Sequence, residues 1–69
     1  MSKIKITLNG EEREINSGLT IKDLADELEL DLEKIAVEKD LEIINIDEFE
    51  KVVIDEGAQI EIVHFIGGG

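Results

Sequence analysis

The residues best placed to do chemistry in this 69-residue chain are its last three, Gly67, Gly68 and Gly69, which directly follow a strand-like run over 59–66. A carboxylate at the end of such a tail is a group that another protein can take as substrate. Glycine has no Cβ, so the tail can pass through a channel only slightly wider than a backbone. Beyond Ile66 three extended residues reach roughly 10 Å, which puts the Gly69 carboxylate deep in a partner's cleft while the folded body stays outside. Glycines at a chain end also mark plain fraying, and the tail by itself leaves both readings open.

The other candidate groups are eliminated by type and spacing. There is no cysteine, which removes thiolate metal sites, iron–sulfur clusters, disulfides and a cysteine nucleophile. His64 is the single histidine, and the two serines, Ser2 and Ser17, stand at a terminus and in a turn, so no nucleophile–base pair can be assembled. The adjacent acids Glu11-Glu12 and Asp47-Glu48 point to opposite sides of an extended chain and read as solvated surface. Asp55-Glu56-Gly57 lacks the alternating acids and distal glutamate of a calcium loop. The three terminal glycines precede no helix, so they are not a phosphate cradle either. His64 reads as a residue at the core's edge.

A net charge of −11 is concentrated in the middle of the chain, where residues 23–50 carry twelve acids against Lys34 and Lys39. Such a surface repels a phosphate backbone, which argues against nucleic acid and anionic membranes as partners. Charge alone reads first as a solvated face that keeps the chain soluble, with steering toward a basic protein as the functional alternative. No apolar run approaches the ~20 residues of a membrane span, and residues 1–9 lack the apolar centre of a signal peptide. The expectation is a soluble, cytoplasmic protein, monomeric when free.

The elements that must carry the tail follow from periodicity. Residues 3–8 alternate, with Ile4, Ile6 and Leu8 on one face of a strand. Asn9-Gly10 then supplies the strongest short hairpin signal, and Ile15 anchors a polar return strand over 11–16. Thr20 reads as a helix N-cap with Asp23 completing a capping box, Leu19 and Leu24 as a hydrophobic staple, and Ile21, Leu24, Ala25 and Leu28 as one apolar helical face. Leu30 and Leu32 are expected as buried loop residues and 35–38 as a third strand. Lys39-Asp40 reads as a turn and 41–44 as a short fourth strand, followed by a single helical turn capped by Asp47 that buries Phe49. Residues 59–65 form the last strand, with Ile60 and Ile62 on one face and Val63 and Phe65 on the other. The order predicts an α+β fold: one main helix packed on one face of a mixed sheet of four to five strands, a β-grasp (ubiquitin-like) if the last strand pairs in parallel beside the first. Residues 1–66 would be the folded domain and 67–69 a flexible glycine tail. Val63, Phe65 and Ile66 then become candidates for a partner-docking patch beside the tail, with packing of Phe65 into the core as the competing arrangement.

With its acidic glycine turn, alternating apolar strand and terminal glycines, the segment Asp55-Glu56-Gly57-Ala58-Gln59-Ile60-Glu61-Ile62-Val63-His64-Phe65-Ile66-Gly67-Gly68-Gly69 resembles the ThiS family of sulfur carriers. The order of elements and the Thr20 helix correspond too. The chain departs from the family pattern in the middle, with Asp40-Leu41 and Asn45-Ile46 where Asn-Gly and Pro-Arg are usual. The resemblance implies a carrier rather than an enzyme, with no cofactor of its own. A separate E1-like adenylating enzyme would use ATP and magnesium to convert the Gly69 carboxylate to an acyl-adenylate. A sulfur donor would then make it a thiocarboxylate, and a sulfur-accepting synthase, thiazole synthase first among them, would take the sulfur. Gly67 and Gly68 would thread the cleft. Alternatives within the same fold are the small subunit of molybdopterin synthase and ubiquitin-like protein modifiers; outside that class stands a β-grasp binding module with an inert tail.

Overall fold

The computed structural model describes residues 2–65; Ile66 and the glycines 67–69 lie outside the described residues. The chain opens with strand β1 (Lys3–Leu8) and returns antiparallel as β2 (Glu11–Asn16), in a register that sets Ile4 opposite Ile15 and Leu8 opposite Glu11. Asn9 and Gly10 between them hold φ of 51° and 84°, the left-handed pair that a type I′ turn requires.

Helix α1 (Ile21–Glu27) starts where the capping box predicts. The Asp23 N–H donates to the Thr20 hydroxyl (3.1 Å) and the Thr20 N–H to the Asp23 carboxylate (3.0 Å), satisfying two donors that helix geometry would otherwise leave open. The helix ends at Glu29 in the left-handed region (φ 59°), and the Leu30 N–H reaches back to the Ala25 carbonyl in a Schellman closure. Ile21, Leu24 and Ala25 are buried, while Leu28 and Leu30 are only half-buried at the core's edge.

A 3₁₀ turn (Leu32–Lys34) leads into β3 (Ile35–Lys39), then β4 (Glu42–Ile44), a second 3₁₀ turn (Ile46–Glu48) and β5 (Gln59–His64). The five strands order as β2-β1-β5-β3-β4, and β5 pairs in parallel with β1 and antiparallel with β3. With one helix across one face, this is the β-grasp. Ile6, Ile15, Ile35, Val37 and Ile60 meet the helix residues in one core closed by Phe49, Ile54 and Ala58.

Two local expectations are corrected. The turn after β3 is Asp40-Leu41, not Lys39-Asp40, so Leu41 sits in the loop and β4 starts one residue later. The turn that buries Phe49 is capped by Asn45 without a side-chain bond rather than by Asp47. Phe49 is nevertheless buried at the centre, because the N–H of Lys22 bonds its carbonyl and ties that loop to the helix start. A chain this short has a narrow stability margin, and Phe49→Ala is expected to cost about 3–5 kcal/mol. Urea unfolding followed by circular dichroism should find most of this variant unfolded in water; a midpoint near the parent's would mean that the pocket collapses around the loss.

Candidate functional site: the end of strand β5 and the open face of the sheet

β5 is the element that precedes the terminal glycines in sequence, and it runs through the middle of the sheet. Its parallel ladder with β1 is short, with only Thr7 opposite Gln59 and Leu8 opposite Ile60. The strand continues past that ladder because the hairpin turn of β1 and β2 takes over. Asn9 donates its backbone N–H to the Ile60 carbonyl (2.8 Å), accepts the Ile62 N–H on its side-chain oxygen (2.7 Å) and donates its side-chain amide to the Ile62 carbonyl (3.3 Å). One asparagine thus stands in for the next stretch of strand, pairing both polar groups of Ile62.

The other turn does the same from the opposite side. Asp40 accepts the Gln59 N–H on its carboxylate (2.9 Å) and donates its own N–H to the Gln59 carbonyl (2.8 Å). Lys39 lies between the carboxylates of Asp40 (3.1 Å) and Asp55 (2.9 Å) and fixes that corner. At the exit, the Phe65 N–H donates to the Lys34 carbonyl (2.7 Å), extending the β3–β5 ladder past His64 to the last described residue. The body therefore holds the backbone from Gln59 to Phe65, the last described residue.

The two faces of β5 differ in chemistry. Ile60 is buried and Ile62 half-buried under the helix, with His64 exposed in line with them at the edge. On the open face Val63 is 59 % and Phe65 52 % exposed, which decides between the two arrangements for Phe65: it is not a core residue. Ile66, Gly67, Gly68 and Gly69 lie outside the described residues. Sequence reasoning missed two further apolar residues near Val63. Leu41 is 86 % and Ile43 72 % exposed, and with Ala36, Glu38, Glu61 and Val63 they line a shallow groove of about 320 Å³. Ile43 stands opposite Glu38 on β3, and its alternation with half-buried Ile44 was the signal that could have found it. Among the described residues no set of three or more histidine or acidic side chains converges to hold a metal. No helix there is long and apolar enough to cross a membrane.

Charges at the Asp40 corner set a pH dependence. The Gln59 N–H, and after it Lys39, holds the Asp40 carboxyl below its ordinary 3.8, and the hydrogen bond from Lys39 does the same for Asp55. A bond chiefly to Asp55 raises Lys39 above its ordinary 10.5. For the two depressed carboxyls the stabilisation is fully present above about pH 4 and is lost as pH falls through the depressed values. Asp40→Asn should therefore flatten the acid limb of a stability–pH profile measured by urea unfolding; an unchanged acid limb would contradict the assignment. Asn9→Gly keeps the left-handed turn but removes both side-chain bonds to Ile62, and about 1–2 kcal/mol of stability should go with them. Amide hydrogen exchange should place the increased exchange first at Ile62; uniform change along the sheet would contradict the clamp.

The profile of the ThiS family matches residues 6–69. Over 66 residues, 96 % of this chain, the sequence is 42 % identical to a thiazole synthase of Paramagnetospirillum magneticum, covering 20 % of that protein. A thiazole synthase of Magnetococcus marinus gives the same identity and coverage, so the chain spans about a fifth of the length of these relatives. It is 40 % identical over 50 residues, 72 % of its length, to the sulfur carrier protein ThiS of Bacillus subtilis, of which it covers 76 %. Among solved structures, the crystal structure of the thiamine biosynthesis protein (ThiS) from Geobacter metallireducens superposes with a TM-score of 0.82 at 25 % identity, over 96 % of this chain and 100 % of that one.

Proposed function

The chain belongs to the ThiS family, and from that premise we propose that it is a sulfur carrier for thiamine thiazole synthesis, a substrate of other enzymes rather than a catalyst. The observation that carries this reading is that the family match runs through residue 69 and so includes all three terminal glycines. The clamped end of β5 supports it, since a tail can be presented to a cleft only from a body that holds its root.

In this reading the Gly69 carboxylate is the reacting group. A free carboxylate is a poor electrophile, so a leaving group must first be installed. An E1-like adenylating enzyme, with ATP and magnesium bound to it and not to the carrier, joins the carboxylate to AMP and releases pyrophosphate. The terminal sulfur of a persulfide then attacks the acyl carbon and AMP departs. Cleavage of the sulfur–sulfur bond by a second thiol leaves the thiocarboxylate. The charged groups that stabilise these steps belong to the enzyme; Gly67 and Gly68 contribute thinness, and Val63, Phe65 and Ile66 form the docking patch beside the tail. Thiazole synthase is the proposed acceptor, because its name is carried by the relatives that match most of this chain. The expected compartment is the cytoplasm, where ATP is available to the activating enzyme.

Incubation with the organism's adenylating enzyme, ATP, magnesium and a persulfide donor should exchange one oxygen for one sulfur, read as a mass change confined to the C-terminal peptide. A chain whose mass does not change under conditions that adenylate it would sink the reading. Gly68→Leu should abolish adenylation, measured as pyrophosphate exchange, and leave the thermal unfolding of the body unaltered. Adenylation at the parent's rate would remove the threading argument.

A further inference from the structure

Two features of the open face are costly to the folded chain and have no use within it. The first is Leu41, the second residue of the β3–β4 turn, which holds φ of 73° after Asp40 at 52°. Glycine adopts that left-handed region freely, whereas a branched side chain is strained there. Leu41 gains no burial in exchange, being 86 % exposed. The second is the register of β3 and β5, which sets Glu38 directly opposite Glu61. Like charges facing each other across a strand pair repel, and among the described residues neither glutamate takes part in an ion pair. Both features line the same shallow groove, with Ile43 and Val63 exposed between them.

We propose that this groove selects a protein partner that presents one basic side chain among apolar ones, the base seated between Glu38 and Glu61 and the apolar groups packed on Leu41, Ile43 and Val63. A cation between the two carboxylates turns their repulsion into two attractions, which is the complementarity that the empty face lacks. The aliphatic groups around it exclude water and strengthen that contact. A second copy of this chain does not fit: its matching groove would bring Glu38 and Glu61 against the same acids in a molecule of net charge −11. Nucleic acid is excluded by the same charges. Leu41 and the glutamate pair are thus specificity-determining residues, distinct from the tail that reacts. The inference rests on the carrier reading only for its probe, the thiazole synthase of the same organism.

The full chain and two variants, Leu41→Gly and the double change Glu38→Gln with Glu61→Gln, are titrated calorimetrically into purified thiazole synthase at low and at physiological salt, and each is melted alone. Both variants should melt at or above the parent's temperature, since one relieves backbone strain and the other charge repulsion. Both should bind more weakly, Leu41→Gly by about tenfold and the double variant by about threefold to tenfold at low salt, with a flatter salt dependence for the latter. A residue serving only the fold would lower the melting temperature instead. Parent-like binding by both variants, no binding by the parent, or a salt-independent parent affinity would each overturn the proposal, as would self-association through this face in sedimentation equilibrium. Failure of the carrier reading is separable: sulfur loaded onto Gly69 with variants that bind normally refutes the groove alone, and selective binding without sulfur loading refutes the carrier alone.

Discussion

Strand β5 has to lie in the middle of a sheet whose neighbours were made far from it in sequence, and its parallel partner offers only two paired positions. The shortage is met by side chains. Asn9 and Asp40, each the first residue of a left-handed hairpin turn, lend an amide and a carboxylate to the backbone of Ile62 and Gln59. Each turn therefore closes its own hairpin and also lengthens the ladder to β5. With β5 held from both sides, Ile60 is pressed into the core and the backbone is bonded as far as Phe65, the last described residue.

The division of labour follows from size. A 69-residue chain whose core is aliphatic side chains with one buried phenylalanine has little stability to spare. Burying charged catalytic groups would consume it, and no buried polar or charged side chain is found among the described residues. A reaction at the Gly69 carboxylate, as proposed, asks no such sacrifice of the core. What the body contributes is shape and charge at a surface, where Leu41 and the paired glutamates cost stability that the core supplies.

Much of this was legible from local pattern. Alternation over 3–8, Asn9-Gly10, and Thr20 with Asp23 each correspond to one backbone geometry, and each is found in place. The parallel pairing of β1 and β5 was anticipated only as a condition, because no local signal specifies which distant strands meet. The turn at Asp40-Leu41 was misplaced for a physical reason: leucine at positive φ is rare enough that the residue read as the start of a strand. The cap at Asp47 failed because Asn45 begins the turn without using its side chain, while Phe49 is buried with its carbonyl tied to the helix start by the Lys22 N–H. The second role of Asn9 was hidden, since a turn signal says nothing of what the side chain will meet fifty residues later. Exposure of Phe65 could not be decided from alternation, and the open face decides it.

Transfer of the sulfur tests the tail chemistry and its recipient at once. The chain, loaded at Gly69 with isotopically labelled sulfur, is mixed with purified thiazole synthase and the remaining substrates, and the label is followed by mass spectrometry in protein and product. Label should leave the terminus as the carboxylate returns and appear in the thiazole in equal amount. A thiazole formed without label, or label retained on the chain while product accumulates, would contradict it.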